Sequence, residues 1–306
     1  MKKLIPIFCL SLAAFQSHAT LLSFDSFNYI NGSLGAHGSW VKNGGTSPDP
    51  TVVTAGLTFT TGGATLQTSG DTNILHYDGS GVNAGSGAPA ANDSLSISGQ
   101  PYTTGSLYYS LLLKVTQVQV GSGNGFATGS NLTAGSFMAG LDTINTSAAP
   151  GQANSAAPLL ITSGDGVSQF GSTFRLGTAK TATTADRRYV ATQLNVGDTV
   201  FAVLRYKFDS VNGDSASLWL NPTPGSSEGT ADLTVTAGTA LTLNTGIQSF
   251  FVRNNSVEPD ALQIDELRIG TAWEDVTPAV AVPEPSTAAF IGMGALGLLL
   301  VRRFRR

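Results

Sequence analysis

The sequence predicts an all-β protein: a two-sheet jelly-roll sandwich over residues 20–276, followed by one short C-terminal transmembrane helix. No stretch between residues 20 and 276 keeps an apolar helical period over about eleven residues. Instead, short runs with apolar residues at alternate positions are separated by Gly, Asn and Pro turn signals. Only 12% of all residues are charged, which is common among exported β-proteins with long loops and unusual for a cytosolic enzyme.

The predicted strands alternate with loops rich in small residues. The longest apolar run, 106–120, predicts a central strand, and its alternation slips once at 116–117, which predicts a bulge there. Small residues predict loops at 79–93 and 121–130. The shorter strands are expected at 21–29, 51–60, 64–68, 136–141, 158–162, 171–177 and 261–269.

One hairpin has a specific sequence signal. The runs 199–208 and 215–220 are strongly apolar and flank Asn212-Gly213, the dipeptide that favours a tight hairpin turn. We therefore expect the two runs to pair as antiparallel neighbours.

The N-terminus has the three parts of a signal peptide. Met1-Lys2-Lys3 is a basic n-region, residues 4–15 are an apolar h-region, and Ser17-His18-Ala19 is a small-x-small cleavage site. We expect residues 1–19 to be removed after Ala19. Cys9 is the one cysteine of the chain and would leave with this segment, so no disulfide is expected.

The charge balance of residues 20–282 is acidic. Setting aside Lys2, Lys3 and the four C-terminal arginines leaves 10 basic residues against 19 acidic ones, a net charge near −9. A nucleic-acid-binding protein normally carries a basic patch, so no nucleic-acid partner is expected.

The C-terminus combines a turn, an uncharged segment and an arginine cluster. Pro283-Glu284-Pro285 excludes a helix, and residues 277–282 are expected to link it to the sandwich. As a helix, 288–301 would be about 21 Å long against a bilayer core of roughly 30 Å. We therefore predict a short transmembrane helix at about 287–301, a buried helix being the less favoured alternative. Its cytoplasmic flank would be Arg302, Arg303, Arg305 and Arg306.

This C-terminal region, 283–306, closely resembles the PEP-CTERM sorting signal of Gram-negative bacteria. The resemblance rests on the run V-P-E-P-S-T at 282–287, the short apolar helix and the arginines. It implies recognition of Pro283, Glu284 and Pro285 by an exosortase, a membrane transpeptidase-like enzyme. The helix would then be a transient inner-membrane anchor before delivery to the cell envelope, surface or extracellular matrix.

The region before the tail resembles the concanavalin A-like, LamG-type domains of exported PEP-CTERM proteins. The similar blocks are Leu22–Trp40, Tyr206–Pro222 and Leu262–Val276. The resemblance implies a sandwich fold. Relatives of that fold bind carbohydrate or protein, some with calcium, and a few cleave glycans.

The predicted closing strand, 261–269, carries two neighbouring acidic residues. Glycan-cleaving relatives carry E-x-D-x-x-E on one strand face, and a retaining pair needs carboxyl groups about 5 Å apart. Asp265 and Glu266 are adjacent and would point to opposite faces of a regular strand. Keeping all the apolar residues of this strand on one face requires a bulge at these two positions. We expect one of them to cap that bulge or to pair with Arg268 or Arg253. The apolar residues concerned are Leu262, Ile264, Leu267 and Ile269.

Metal and cofactor sites are not predicted. After removal of residues 1–19, two histidines, His37 and His76, remain without a cysteine, so no zinc site is expected. Calcium suits the chain best among ions, because it takes oxygen ligands from loops. The candidate ligands are Asp25, Asp78, Asp209, Asn212 and Asp214. Their spacing departs from the calcium-loop order, and Asx-turns at the hairpin are the favoured interpretation.

The three tryptophans, Trp40, Trp219 and Trp273, could stack on sugar rings or pack in the core. Core packing is the expected role of each. Trp219 alternates with Leu218 and Leu220, so we expect either the tryptophan or the leucine pair to face outward.

Together these features predict a non-catalytic surface or matrix protein that binds carbohydrate, such as exopolysaccharide, or matrix. A glycan-active hydrolase or lyase on the same fold is one alternative, and a purely structural matrix protein is another. The expected partners are an exosortase-type enzyme and the membrane.

Overall fold

The computed structural model describes residues 20–43, 50–54, 56–69, 72–76, 91–117, 136–145, 151–166, 171–241, 246–254 and 261–280. Most of them lie in strands. One α-helical turn, α1 (Trp273–Val276), follows the last strand. The strands, in chain order, are β1 (Leu21–Asp25), β2 (Gly32–Ser33), β3 (Trp40–Lys42), β4 (Thr51–Thr54), β5 (Thr60–Thr61), β6 (Ala64–Thr65), β7 (Thr72–His76), β8 (Ala91–Ser96), β9 (Ser106–Gln117), β10 (Ser136–Asp142), β11 (Ser155–Ser163), β12 (Thr173–Thr178), β13 (Arg188–Tyr189), β14 (Leu194–Asn195), β15 (Thr199–Lys207), β16 (Ser215–Leu220), β17 (Leu233–Val235), β18 (Ser249–Asn254) and β19 (Ala261–Gly270).

The predicted targeting segments lie outside the described residues. These are the signal peptide with Ala19, the sorting motif at 283–285, the helix at about 287–301 and the four terminal arginines. Among the residues that the structure describes, no helix is long and apolar enough to cross a membrane.

The strands form two large antiparallel sheets. The first sheet has the order β17-β16-β15-β9-β19-β7-β4-β2, with β1 also paired to β19. The second sheet has the order β13-β12-β11-β10-β18-β8-β3, with β14 also paired to β12. The predicted all-β, two-sheet jelly-roll sandwich is confirmed.

The main core lies between the two sheets. Alternate residues of β9, from Leu107 to Val115, point into it and meet Phe250 and Val252 of the second sheet. Tyr108 and Leu112 of β9 belong to a second apolar cluster on the opposite face. Because both faces of β9 are buried from Leu107 to Leu113, that part of the strand is apolar apart from Ser110.

Both predicted bulges are present. Ala261 pairs with Gln117 and Leu262 with Val115, so β9 carries an extra residue at position 116. In β19 the register shifts between Asp265 and Arg268, and Glu266 adopts a left-handed φ of 53°. This second bulge keeps all four apolar residues in the main core, as expected: Leu262, Ile264, Leu267 and Ile269.

The predicted hairpin is also confirmed. Strands β15 and β16 pair from Ala202–Leu220 to Lys207–Ser215. In the turn, the Asp209 Oδ1 atom accepts hydrogen bonds from the backbone N–H groups of Val211 and Asn212 at 3.1 and 2.9 Å. This is the Asx-turn that the sequence favoured over a calcium loop.

Residues 91–93 and 277–280 are among the segments that differ from the sequence prediction. Residues 91–93, expected at the end of a loop, begin strand β8, which pairs with β18 and β3. Residues 277–280 of the expected linker 277–282 pack against the sandwich, because Gln67 N donates to Pro278 O and Val280 N donates to Thr65 O. The described fold therefore continues to Val280.

Candidate functional site: the arginine–aromatic face

The outer face of the second sheet carries a cluster of aromatic and basic side chains. Its apolar floor consists of Phe137, Leu160 and Phe251, with Ala179, Ala182 and Tyr189 packed against it. Arg187 and Arg253 pack on Phe137, and Arg175 lies on the same face of the sheet, paired with Thr162 of β11. We call the group Phe137, Arg175, Arg187, Tyr189 and Arg253 the arginine–aromatic face.

Two guanidinium groups pack on one aromatic ring. The Cζ atom of Arg253 lies 4.2 Å from the centroid of Phe137 and that of Arg187 lies 5.8 Å from it. Arg253 Nη1 also lies 3.4 Å from the carbonyl oxygen of Phe137. Arg187 donates from Nε and Nη2 to the carbonyl oxygen of Ala182 at 3.1 and 2.9 Å. Cation–π attraction and these hydrogen bonds hold both cations beside the ring.

A bulge in β10 directs Phe137 outward. Phe137 pairs with Leu160, whereas Ala139 pairs with Leu159, so Met138 is an extra residue on β10. Met138 and Ala139 both join the main core. Phe137 consequently falls on the outer face, in register with Leu160.

A glycine makes room for Tyr189. Gly177 of β12 pairs with Tyr189 of β13. A Cβ atom at Gly177 would overlap the carbonyl oxygen of Arg188 and come within 2.7 Å of the Tyr189 ring. The close approach of β13, and with it the position of Tyr189, therefore depends on glycine at this position.

The electrostatics of the face are dominated by buried positive charge. Arg187 is only 7% exposed, and burial lowers the pKa of its guanidinium. The positive charge of Arg253 lowers that pKa further, while Tyr189 opposes the effect. An arginine pKa starts so high that the group remains charged at neutral pH. Two like charges near one ring create a site that favours an anion.

One carboxyl group lies toward the far end of the same strand. Asp142 of β10 pairs with Ser155 and Ser249 and is 2% exposed. Burial raises its pKa to about 7, against the opposing hydrogen bonds from the backbone N–H groups of Ile144 and Thr143. At neutral pH this group is therefore divided between the acid and the carboxylate.

The carboxyl pair of β19 has structural partners. Asp265 accepts hydrogen bonds from Leu57 N at 2.6 Å and from Glu266 N at 2.8 Å. Glu266 accepts one from Ser69 N at 2.5 Å and faces the Arg268 Nη2 atom at 3.6 Å. Burial raises the pKa of Asp265 to about 7. The expected capping of the bulge and the pairing with Arg268 are confirmed.

The residues proposed as calcium ligands are engaged elsewhere or lie apart. Asp25 accepts hydrogen bonds from Phe27 N, the Tyr29 hydroxyl and Trp40 Nε1 at 2.6–2.7 Å. Asp214 accepts from the Tyr206 hydroxyl and Asp209 N. Asp78 and the His76 side chain are outside the described residues. Within the described part of the chain, no group of three or more His, Cys, Asp or Glu residues could hold a metal ion.

A cavity of about 350 Å³ lies beside Asp25. It is lined by serines, including Ser23, Ser39 and Ser96, and by Phe24. The Asp25 carboxylate on its wall already accepts three hydrogen bonds. The ring of His37 stacks on Tyr29 with a centroid distance of 5.1 Å, so both rings stabilise this wall.

The tryptophans are core residues. Trp40, Trp219 and Trp273 are 4%, 3% and 3% exposed. The indole N–H groups of Trp219 and Trp273 donate to the carbonyl oxygens of Gly229 and Ser226. The expectation that one face of β16 would point outward was wrong, because Leu218 and Trp219 are both buried. The segment containing Ser226 and Gly229 packs over the outer side of the strand.

Little in the amino-acid sequence indicates the arginine–aromatic face. Phe137 and Arg253 are 116 residues apart and meet only because β10 and β18 are neighbours. From the sequence alone, Arg253 is one candidate partner of Asp265 or Glu266. In the structure, Arg253 packs on Phe137. The face is a basic cluster within an acidic chain. Its arginines are far apart in the sequence, so the cluster can be recognised only once the order of the strands is known.

Comparisons with solved structures give distant β-sandwich similarities. An endo-β-1,4-glucuronan lyase from the fungus Trichoderma reesei matches with a TM-score of 0.42 and 12% identity, covering 86% of this chain and 100% of that chain. An endo-1,3-β-glucanase from Streptomyces sioyaensis matches with a TM-score of 0.39 and 14% identity, covering 85% and 99%. The calcium-bound exoplasmic/lumenal domain of VIP36 matches with a TM-score of 0.38 and 9% identity, covering 87% and 97%. At these values the similarity carries no functional information.

A search of curated protein sequences found no match. A family model described as the PEP-CTERM protein-sorting motif matches residues 281–306. The chain therefore carries a PEP-CTERM sorting motif at its C-terminus, which implies an exported protein of the cell envelope or surface that an exosortase processes.

Proposed function

We propose that the sandwich is a non-catalytic carbohydrate- or matrix-binding module, which the PEP-CTERM tail delivers to the cell surface or extracellular matrix. The observation that carries this proposal is the stacking of Arg253 and Arg187 on Phe137 at 4.2 and 5.8 Å. Cations held beside aromatic side chains, in a partly desolvated setting, are suited to bind polar ligands. The exosortase, the membrane and exopolysaccharide are the partners that this function requires.

The carboxyl groups of β19 have structural partners, which supports binding rather than cleavage. Asp265 and Glu266 each accept hydrogen bonds from the backbone, and Glu266 also faces Arg268. The pKa of both groups is raised by burial and by the charge of the nearby Asp25, which is itself hydrogen-bonded to Phe27 N, Tyr29 and Trp40.

A glycan array tests the proposal directly. The full-length protein, purified in detergent, is probed with and without calcium. We expect binding to at least one glycan, with a loss of signal for Arg253→Gln and none for Lys207→Ala, an exposed cation of the first sheet. An array without any bound glycan in either condition would contradict the proposal and leave a purely structural matrix role.

A glycan-active hydrolase or lyase is the second candidate, and Asp142 is the residue on which to test it, because it lies on the same strand, β10, as Phe137 of the arginine–aromatic face. Its raised pKa would keep part of the group protonated at neutral pH, as a general acid requires. Incubation with the bound glycan, followed by measurement of reducing ends and of unsaturated products, distinguishes the two functions. Release of products that is lost in Asp142→Asn would support catalysis over binding.

A further inference from the structure

We propose that the arginine–aromatic face binds an acidic polysaccharide, whose carboxylate groups are held by Arg253 and Arg175. This inference rests on the proposed carbohydrate-binding function and names the class of ligand. It differs from that function in requiring negative charge on the glycan.

The distribution of charge supports an anionic ligand. Residues 20–282 contain 10 basic and 19 acidic residues, yet Arg187 and Arg253 pack on Phe137 and Arg175 lies on the same face of the sheet. Among the described residues that face outward from β10, β11, β12 and β18, Asp142 is the one carboxyl group. It lies five positions from Phe137 along β10, or about 16 Å at about 3.3 Å per residue.

Unsatisfied donors supply a second observation. The Nε atom of Arg175 is buried and has no hydrogen-bond acceptor, and a buried donor without a partner is costly. Arg175 itself is half-buried, so part of its guanidinium faces solvent. A carboxylate from a ligand would accept from this group with the bidentate geometry that guanidinium favours.

A buried cation strengthens the site. Arg187, which packs on Phe137, is 7% exposed. A charge in such a partly desolvated position is screened less by solvent than an exposed one. The half-buried Arg253, Arg175 and Tyr189 would contact the ligand, while Arg187 adds to the positive potential.

The spacing of the arginines fits a polymer. Arg175 on β12 and Arg253 on β18 are three strands apart in the sheet, which is about 14 Å at roughly 4.8 Å per strand. One small anion could not contact both groups. A polymer with repeated carboxylates could contact both arginines by lying across the strands over Leu160 and Phe137.

A glycan fits this face better than a nucleic acid does. The net charge near −9 over residues 20–282 repels a densely charged phosphate polymer at long range. A uronate chain carries less charge per unit length than duplex DNA, and its carboxylates can bind the guanidinium fork in bidentate fashion. Tyr189, half-buried at the edge of the face, adds an aromatic side chain for a sugar ring.

The test measures binding of the full-length protein in detergent to polygalacturonate, to a neutral β-glucan of similar length and to single-stranded DNA. We expect polygalacturonate to bind and the neutral glucan to bind at least about tenfold more weakly. Salt near 0.5 M should weaken the binding of polygalacturonate. Arg175→Gln and Arg253→Gln should each reduce polygalacturonate affinity by about tenfold or more. Lys207→Ala, which removes an exposed cation from the first sheet, should leave it unchanged.

The outcomes separate this inference from the function on which it rests. Equal binding of neutral glucan and polygalacturonate would overturn the acidic ligand while keeping carbohydrate binding. No glycan binding would overturn both, and binding of DNA as tight as that of polygalacturonate would indicate general attraction to polyanions and overturn the inference. Arg175→Gln keeps the test valid if Arg253→Gln, which loses the stacking on Phe137, fails to fold.

Discussion

The carboxylate of Asp25 accepts a hydrogen bond from the indole N–H of Trp40 at 2.6 Å. Asp25 ends β1, which pairs with β19 in the first sheet, and Trp40 begins β3, which pairs with β8 in the second. This bond therefore joins the two sheets near the start of the fold. The same carboxylate also binds the Tyr29 hydroxyl and the backbone of Phe27, a residue with a left-handed φ of 51°.

Replacing this carboxylate should loosen the contact between the sheets. Asp25→Asn has one acceptor oxygen for three donors, so at least one buried donor loses its partner. We expect a loss of about 1–3 kcal/mol in the free energy of unfolding, measured by denaturant titration. Asp198→Asn, at an exposed turn, is the matched control and should change stability by less than about 0.5 kcal/mol. Equal stability of both variants would show that the bond does not secure the sheets.

The raised pKa of Asp142 predicts a pH-dependent stability. Its pKa rises from 3.8 to about 7 on folding because of burial, so the folded state binds the proton more tightly than the unfolded state. This contribution to stability is full below about pH 4 and is lost as the pH rises through 7. Asp142→Asn should therefore gain stability relative to the natural protein at pH 8 and little at pH 4.

Thermal unfolding between pH 5 and 8 measures this effect. The fall in Tm across that range should be smaller for Asp142→Asn. Part of the fall should remain, because the pKa of Asp265 is also raised to about 7. Asp209 does not interfere, since hydrogen bonds from Asn212 lower its pKa and its titration lies below this range. Parallel curves for the variant and the natural protein would refute the assignment to Asp142.

The shape of the arginine–aromatic face should depend on Gly177. A Cβ atom there would overlap Arg188 and the Tyr189 ring, so Gly177→Ala should displace β13 and cost about 1–3 kcal/mol. We expect a reduced affinity for any glycan bound on this face, measured beside Gly229→Ala. A Cβ atom at Gly229 meets nothing within 4 Å, so this control should retain both stability and binding.

The strand pattern could be predicted where side-chain spacing alone determined it. The apolar positions at 262, 264, 267 and 269 require a bulge, and the structure has one between Asp265 and Arg268. The hairpin was predictable because Asn212-Gly213 suits a tight turn. Strand β8 was missed since its apolar residues, such as Leu95, are separated by serines and follow a run of small residues typical of loops.

The candidate site could not be predicted because it depends on strand order. Phe137 and Arg253 become neighbours when β10 pairs with β18, and no local pattern specifies that pairing. The orientation of Phe137 further depends on the extra residue Met138 in β10. Likewise, both faces of β16 are buried because the segment after this strand folds back over Trp219, which alternation along the strand cannot reveal.

The sorting prediction concerns Pro283-Glu284-Pro285, within the region that matches the PEP-CTERM motif. The fold ends close to it, since Val280 N donates to Thr65 O at 2.9 Å and three further residues span at most about 11 Å. Replacing all three motif residues by alanine should leave the protein in the inner membrane, because the exosortase loses its recognition sequence. Cell fractionation and immunoblotting locate the protein. Pro278→Ala, a proline outside the motif, is the control and should reach the surface, whereas surface delivery of the triple variant would contradict the role of the motif.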